Sequence, residues 1–565
     1  MSTTSLAPGI TTPDLADSRA AQQLRIGLEH HAAGRIDDAI AAYQRGLGAG
    51  NESGAAPKEI TDLHFRLGNA WMIRGELELA VASYKAALRI LPNLTSSWSN
   101  LGNAYLRMDR ARDAVAVYLH AVALDSTHWP ARANLAEALI ATRQYIIAKA
   151  LLLELIAERP RDAIIRNRLG KAHFSLGEAD QAVECFQQAI VLDPDDTDSS
   201  YWIGSIKQTA GELEAAETAY ARAARLRPLI RRPARKSPAE FRVLALYAPF
   251  GGNTPTEYLF ENASYDVNTL PVIADNAYDV EMLRHEGDIV VNLLSDADQG
   301  NAELSVAAEL MDILAKPAVN DPRRVQHTTR EAVARLLEGI AGCRIPKVLR
   351  LAAGPDAPVA ALQSTMTPPL LARPAGTHGG DDFEKIESLT DLAAFLQRAS
   401  GTDHYLIEYV DYCSPDGYFR KYRFIFVNGE ILPYHLAIGK DWKIHHDSTD
   451  MVDHPWMQRE EEVFLNDPAA VFSPAHFEAL RAIQRAIGLE YSGIDCGLDR
   501  AGQLVVFEVN ASMLVHRHNQ AYPYKAPAVL RIKLAFDEML QKLAFGTSCV
   551  RPSTEARREQ KAGAI

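Results

Sequence analysis

The chain carries two hydrophobic grammars that meet near residue 240. From residue 61 the pattern repeats every 34 residues, with apolar positions at helical spacing. Gly68, Gly102, Gly170 and Gly204 share one phase, and Ala136 fills it once. Twelve residues after each come Ala80, Ala114, Ala148, Ala182 and Ala216. Four further on stands a large apolar residue: Tyr84, Tyr118, Leu152, Phe186 and Tyr220. Pro92, Pro160, Pro194 and Pro228 close four of the five units, as proline ends a helix. Each unit predicts two antiparallel helices, with small residues allowing close approach and the aromatic filling the gap. A degenerate earlier unit (Gly27, Gly34, Ala39, Tyr43) precedes an insertion from Gly50 to Pro57, giving about six units over residues 20–230.

Beyond a basic, proline-containing linker at 231–240, short apolar runs alternate with helical ones. FRVLALYAP from Phe241, SYDVNTLPV from Ser264 and GDIVVNLL at 287–294 read as strands. Helices are expected around Thr256 to Asn262 and from Ala302 to Leu314, so this part predicts a parallel, Rossmann-like sheet. Later, YFRKYRFIFVNGEILPYHLAI predicts a hairpin turning at Asn428-Gly429, and helices follow near 474–487 and 526–544. Tyr491 to Met513 reads as a second hairpin, with strands Ile494–Leu498 and Gln503–Val509 joined by a turn at Ala501-Gly502. Glu508 and Asn510 are two apart and share a strand face, with Asp495 roughly opposite. Two carboxylates and an amide oxygen make a hard donor set that suits Mg²⁺.

Composition narrows the classes. The 565 residues are 47% hydrophobic and 23% charged, as in soluble multidomain proteins. A net charge of −13 argues against nucleic acid or an anionic membrane as the main partner. The first twenty residues lack the basic start and apolar core of a leader, and the five cysteines are scattered without a C-x-x-C pair. A cytoplasmic protein with reduced thiols is expected, Cys496 among them as a core residue.

The 34-residue units resemble tetratricopeptide repeats (TPR), which stack into a solenoid with a concave binding face. Asn69 and Asn103 fall at one repeat position and resemble the asparagines by which some TPR superhelices hold a peptide backbone. A peptide or protein ligand is therefore expected on that face.

The second half, over about residues 241–545, resembles the ATP-grasp ligases, nearest to the D-alanine–D-alanine ligases and peptide-modifying glutamate ligases. The metal end is carried by Asp495, then Glu508-Val509-Asn510 thirteen to fifteen residues later. Arg330 stands where the family places a first phosphate-binding lysine. In PLLARPAGTHGG, Arg373 stands for the second, and Gly376, Gly379 and Gly380 for its glycine-rich lid. HYLIEYVDY at 404–412 resembles the adenine hinge, with Glu408 toward the base and the backbone of Tyr409 and Val410 on its edge. Arg423 matches the arginine of the D-x-R element and is expected on the γ-phosphate or acyl phosphate. Arg420, Lys421 and Lys440 read equally well as a solvated edge strand, and His445 and His446 as part of a substrate-facing loop.

The implied architecture is multidomain, with a flexible N-terminus at 1–19 and an all-α TPR solenoid at 20–230. The linker at 231–240 leads to an α/β pre-ATP-grasp domain at 241–325, an α+β ATP-grasp domain at 326–545 and a disordered tail at 546–565. The implied activity is an ATP- and Mg²⁺-dependent carboxylate–amine ligation through an acyl phosphate, on a peptide or protein brought by the solenoid. A non-catalytic TPR scaffold with a nucleotide-binding relic, or a phosphotransferase, stays open. Arginines replace both family lysines, and Gly493 replaces the arginine that D-alanine–D-alanine ligases carry two residues before the metal aspartate. Ser512-Met513-Leu514 replaces a small-Pro-Gly turn, so His516, Arg517 and His518 are expected to shape a different acceptor site.

Overall fold

A computed structural model describes residues 18–546, apart from 54, 236–237, 250–251, 275, 299, 353–365, 377–382, 399–400, 445–448, 512 and 517–521. Both expected terminal tails lie almost wholly outside the described residues. The chain divides after Leu226 into two compact units.

The first unit is all helix. Among the described residues, helices run in six consecutive pairs, from Arg19–Ala32 and Ile36–Ser53 to Thr197–Thr209 and Leu213–Leu226. The repeat glycines explain the close pairing. A Cβ built on Gly68 would lie 2.6 Å from the Tyr84 ring, on Gly102 2.5 Å from Tyr118, and on Gly170 2.7 Å from Phe186. Where alanine takes the glycine position, at Ala136, the aromatic position holds the slimmer Leu152, and both are fully buried. Each repeat therefore conserves a volume rather than a residue.

Among the described residues the second unit holds three sheets. β1 (Ile230–Arg232), β2 (Arg242–Tyr247), β3 (Asp266–Pro271), β4 (Ile289–Asn292) and β5 (Ala318–Val319) form the first, in the order β1-β3-β2-β4-β5. Its four later strands are parallel, as the strand–helix alternation predicts. The stretch read as a linker is partly strand: Ile230–Arg232 adds antiparallel to β3. The segment expected as a helix around Thr256 to Asn262 is instead a run of turns.

β6 (Cys343–Arg344), β7 (Val348–Leu351), β8 (Leu370–Pro374), β9 (Glu384–Ile386) and β10 (His404–Glu408) follow. β7, β10, β8 and β9 make a four-stranded antiparallel sheet in that order. β11 (Phe419–Val427), β12 (Glu430–Gly439), β13 (Tyr491–Leu498) and β14 (Leu504–Asn510) build the third, in the order β12-β11-β13-β14-β6. β11 is therefore an inner strand, not the edge that a solvated reading of Arg420 and Lys421 assumes. Positive φ at Asn428 (45°) and Gly429 (93°) closes the β11–β12 turn. In the β13–β14 turn, Asp499 Oδ1 accepts from the backbone N–H groups of Ala501 and Gln503, each at 2.9 Å.

One core packs Phe424, Ile494, Cys496 and Val506 of the third sheet against the helices Pro455–Asn466 and Pro474–Ile487. Ile425 and Tyr491 pack instead against the helix Ala526–Phe545 and the first sheet. Cys496 is fully buried, and burial raises its thiol pKa well above the usual range, as a core residue requires.

Gly102→Ala is expected to destabilise the first unit, because a clash of ~1–3 kcal/mol outweighs the ~1 kcal/mol alanine gains in a helix. Combining it with Tyr118→Leu recreates the Ala136–Leu152 pairing, so the double variant should lose clearly less than the two single losses added together. Urea unfolding of the four proteins measures the coupling, and strict additivity contradicts the volume argument.

Candidate functional site

The third sheet places four ionisable side chains in one row. His435 on β12 pairs in register with Arg423 on β11, Arg423 with Asp495 on β13, and Asp495 with Glu508 on β14. Directly opposed residues of antiparallel strands share a face, so the row lies on one side of the sheet. A register shift falls beside it on each flank, between Arg423 and Phe424 and between Asp495 and Cys496. The extra residues are Tyr434 and Phe507, and bulges of this kind re-aim neighbouring side chains.

The row is densely charged. Arg423 grips Asp495 with both arms, Nε to Oδ1 at 2.6 Å and Nη2 to Oδ2 at 2.9 Å, and Lys421 Nζ stands 3.5 Å from the same carboxylate. Although burial opposes ionisation, these cations hold Asp495 well below the usual carboxylate range. Arg330, the first residue of the helix Arg330–Leu336, donates from Nη2 to Glu508 Oε1 at 2.8 Å. Asn510 Nδ2 donates to that same oxygen at 2.9 Å. Its own Oδ1 is buried and accepts no hydrogen bond, a costly state for an amide oxygen. Asn510 pairs in register with Gly493. A side chain at Gly493 has no room, because its Cβ would fall within 3.0 Å of the Phe424 carbonyl and closer still to Met513. A larger residue at this departure from the family pattern would displace Met513.

Arg373, on β8, is only 5% exposed, and its guanidinium stands 5.3 Å from the Phe383 ring. Burial, with Arg330 beside it, lowers its pKa to about 10, so it remains a cation at neutral pH. Gly376 follows with φ of 73°, while Gly379 and Gly380 lie outside the described residues, as do His445, His446, Arg517 and His518.

A cavity of about 210 Å³ is lined by Arg330, Arg373, Arg423, Asp495 and Glu508 together with Glu408, Tyr409 and Val410. Phe383, Tyr409 and Trp442 add flat walls, their rings 5.7 and 6.2 Å apart through Trp442. A smaller cavity of about 70 Å³ shares Arg330 and Glu508 with it and takes in Asn510 and Gly376. Arg330, Arg373, Arg423, Asp495, Glu508 and Asn510 therefore line two cavities that share residues.

Two expected contacts carry other partners. Glu408 lines the larger cavity, and its oxygens accept from Arg344 Nη2 at 2.8 Å and from the Lys347 backbone N–H at 3.1 Å. Asn69 and Asn103 are not open on the concave face, being 5% and 7% exposed. Asn69 Oδ1 accepts from Tyr84 of its own repeat at 2.7 Å and from Asn100 of the next at 2.9 Å. Asn103 Oδ1 does the same with Tyr118 at 2.6 Å and Asn134 at 2.8 Å. These amides tie successive repeats together. Arg420, in turn, is paired with Asp416 and Glu460 and stays out of the site.

One cluster was not expected. At the end of the row, His435 Nδ1 lies 2.5 Å from Glu461 Oε1, which also accepts from the Leu436 N–H and lies 3.0 Å from Lys525 Nζ. Tyr524 donates to Glu461 Oε2 at 2.6 Å. Burial works against ionising Glu461, but His435, Lys525 and Tyr524 outweigh it and lower its pKa to about 2. Burial also lowers the His435 pKa to about 4.

Family models match stretches between residues 68 and 228. The family described as "TPR repeat" matches residues 68–109 and 170–211, and that described as "Tetratricopeptide repeat" matches 95–128 and 197–228. Superkiller protein 3 of Schizosaccharomyces pombe is 27% identical over 136 residues, 23% of this chain and 10% of that protein. Superkiller protein 3 of Saccharomyces cerevisiae is 27% identical over 150 residues, 25% of this chain and 10% of that one. The chain thus spans about a tenth of the length of these curated relatives. Among solved structures, MamA 41-end from Desulfovibrio magneticus RS-1 is 22% identical and covers 30% of this chain and 97% of its own, at a TM-score of 0.28. PilW, a type IV pilus biogenesis factor, is 18% identical over 37% of this chain and 94% of its own, at 0.33. The first unit is a TPR solenoid. No helix among the described residues is long and apolar enough to cross a membrane.

The buried cluster makes stability pH-dependent. Glu461 is depressed from 4.5, so its contribution is complete above that value and is lost as pH falls toward 2. His435 is depressed from 6.5, so below 6.5 the unfolded chain takes up its proton first and stability falls in the same direction. The second unit should therefore lose stability steadily from about pH 6.5 downward. Glu461→Gln should cost about 3–5 kcal/mol at neutral pH and flatten the slope below pH 4.5. Urea titrations across pH read both effects.

Proposed function

We propose that the protein is an ATP-dependent carboxylate–amine ligase working through an acyl phosphate, on a peptide or protein recruited by its TPR solenoid. One observation carries the reading: three arginines and three hard oxygens converge on two cavities that share residues, and aromatic rings wall the larger. Asp495, Glu508 and Asn510 suit a hard divalent cation, and the buried, unpaired Asn510 Oδ1 is the atom such a cation would satisfy. Bound there, Mg²⁺ would supply charge neutralisation for nucleotide phosphates.

The flat walls at Phe383, Tyr409 and Trp442 suit the purine, with the backbone of Val410 beside them. Arg330 and Arg373 meet the phosphates as planar forks rather than the point charges of lysine. Arg423 faces the phosphoryl group in flight, where fixed cations lower the barrier without reorganising. A substrate carboxylate attacks the γ-phosphorus, ADP leaves, and an amine then displaces phosphate from the acyl carbon. No side-chain nucleophile is required, because positioning and charge stabilisation do most of the work.

The test incubates the full chain with Mg·ATP, the proteinogenic amino acids and a tryptic digest of casein. ADP release together with a product lighter by one water than its two parents is expected. Arg423→Ala should slow it about a hundredfold or more. ADP with a phosphorylated product and no amide points to phosphotransfer. Nucleotide-dependent stabilisation without ADP points to a scaffold whose nucleotide site has no turnover.

A further inference from the structure

All three basic side chains of β11 are matched with acids: Arg420 with Asp416 and Glu460, Lys421 and Arg423 with Asp495. Just past the end of β12 that matching stops. Lys440 and Lys443 have no ion-pair partner among the described residues, yet both line one cavity of about 270 Å³. His454 lines it too, and so does Tyr418, whose ring centre is 5.8 Å from Lys440 Nζ. The one acid in that lining is Asp441, and it turns an oxygen back to the Lys443 backbone N–H at 3.3 Å. A single solvated lysine needs no neighbour. Two lysines and an imidazole around one hollow make a positive field that concave walls concentrate. The hollow is also joined to the proposed nucleotide cavity, because Lys443 and Ile444 line both. Between the two lysines in sequence stands Trp442, the aromatic wall of that larger cavity.

We propose that this hollow is a second anion site, separate from the arginines of the charged row. It takes a small free oxyanion, a phosphate or a dicarboxylate, and its occupation tightens nucleotide binding next door. The site stands on its own lining, whereas the coupling rests on the nucleotide reading above. Each lysine ammonium is a compact point charge with three donors on a flexible stem, so it follows either oxyanion. An oxyanion held by Lys440 and Lys443 pins both ends of the short segment that carries Trp442. A nucleotide then meets a wall already ordered and gives up less freedom on binding, which is positive coupling. Coupling of this kind is reciprocal, so the nucleotide tightens the oxyanion by the same factor.

Calorimetric titration of the full chain with inorganic phosphate and, separately, with succinate reads the site at constant ionic strength. Lys440→Glu is the matched variant, because Lys440 is exposed and lines this cavity but not the larger one. At least one of the two anions is expected to bind the wild type and to bind the variant about tenfold more weakly. The tighter of them names the class of oxyanion. Binding by neither overturns the site, and so does equal binding in wild type and variant, which places the anion on the row's arginines instead. Mg·ATP is then titrated with and without that anion. A gain of about fivefold in the wild type and none in the variant is expected, with slower amide hydrogen exchange over residues 440–444 when the anion is bound. An anion that weakens Mg·ATP or leaves it unchanged overturns the coupling. A wild type that binds the anion but not Mg·ATP overturns the nucleotide reading and the coupling together, and supports the anion site.

Discussion

The second unit depends on how one sheet keeps its buried charges paired. Asp495 is 3% exposed, and an isolated carboxylate there would cost several kcal/mol. The two-armed grip of Arg423, with Lys421 beyond, offsets that cost only if β11 and β13 hold strict register. Glu508 is settled in the same way by Arg330 from a separate helix. Such pairs add little net stability over apolar residues of the same size, and their use lies in fixing geometry. Here they fix which oxygens and cations share a cavity.

The two bulges connect that geometry to the sequence and explain what could be read from it. Counting back from the Asn428-Gly429 turn pairs Arg423 with Tyr434, and from the other turn pairs Asp495 with Phe507. Each bulge shifts the partner by one residue, bringing His435 and Glu508 into the row. The spacing of Glu508 and Asn510 and the turn residues were legible, and so was the placing of Asp495 opposite Glu508. His435 was not, although Pro433 beside the extra residue Tyr434 is a local mark that a bulge leaves in a strand. Glu461 and Lys525 lay further out of reach, since only tertiary packing brings their helices to the end of the sheet.

The repeats show the opposite balance. Their period, glycine phase and aromatic phase read directly from the chain, because each unit is a local structure packed on its neighbour. Even so, the partners of Asn69 and Asn103 do not follow from the repeat phase. A polar residue on a helix looks solvated in sequence, but each sits within reach of a tyrosine hydroxyl from its own repeat and an asparagine from the next. The polar position thus carries the coupling between repeats.

The central claim is that the charged row forms a metal–nucleotide site. Thermal unfolding of the full chain with and without Mg·ATP, in wild type and in Glu508→Gln, tests it most directly. A nucleotide at a hundred times its dissociation constant adds ~2.7 kcal/mol, which is a rise of several degrees. That rise is expected in the wild type, and its loss in the variant. No rise in the wild type, or an equal rise in both, would contradict it.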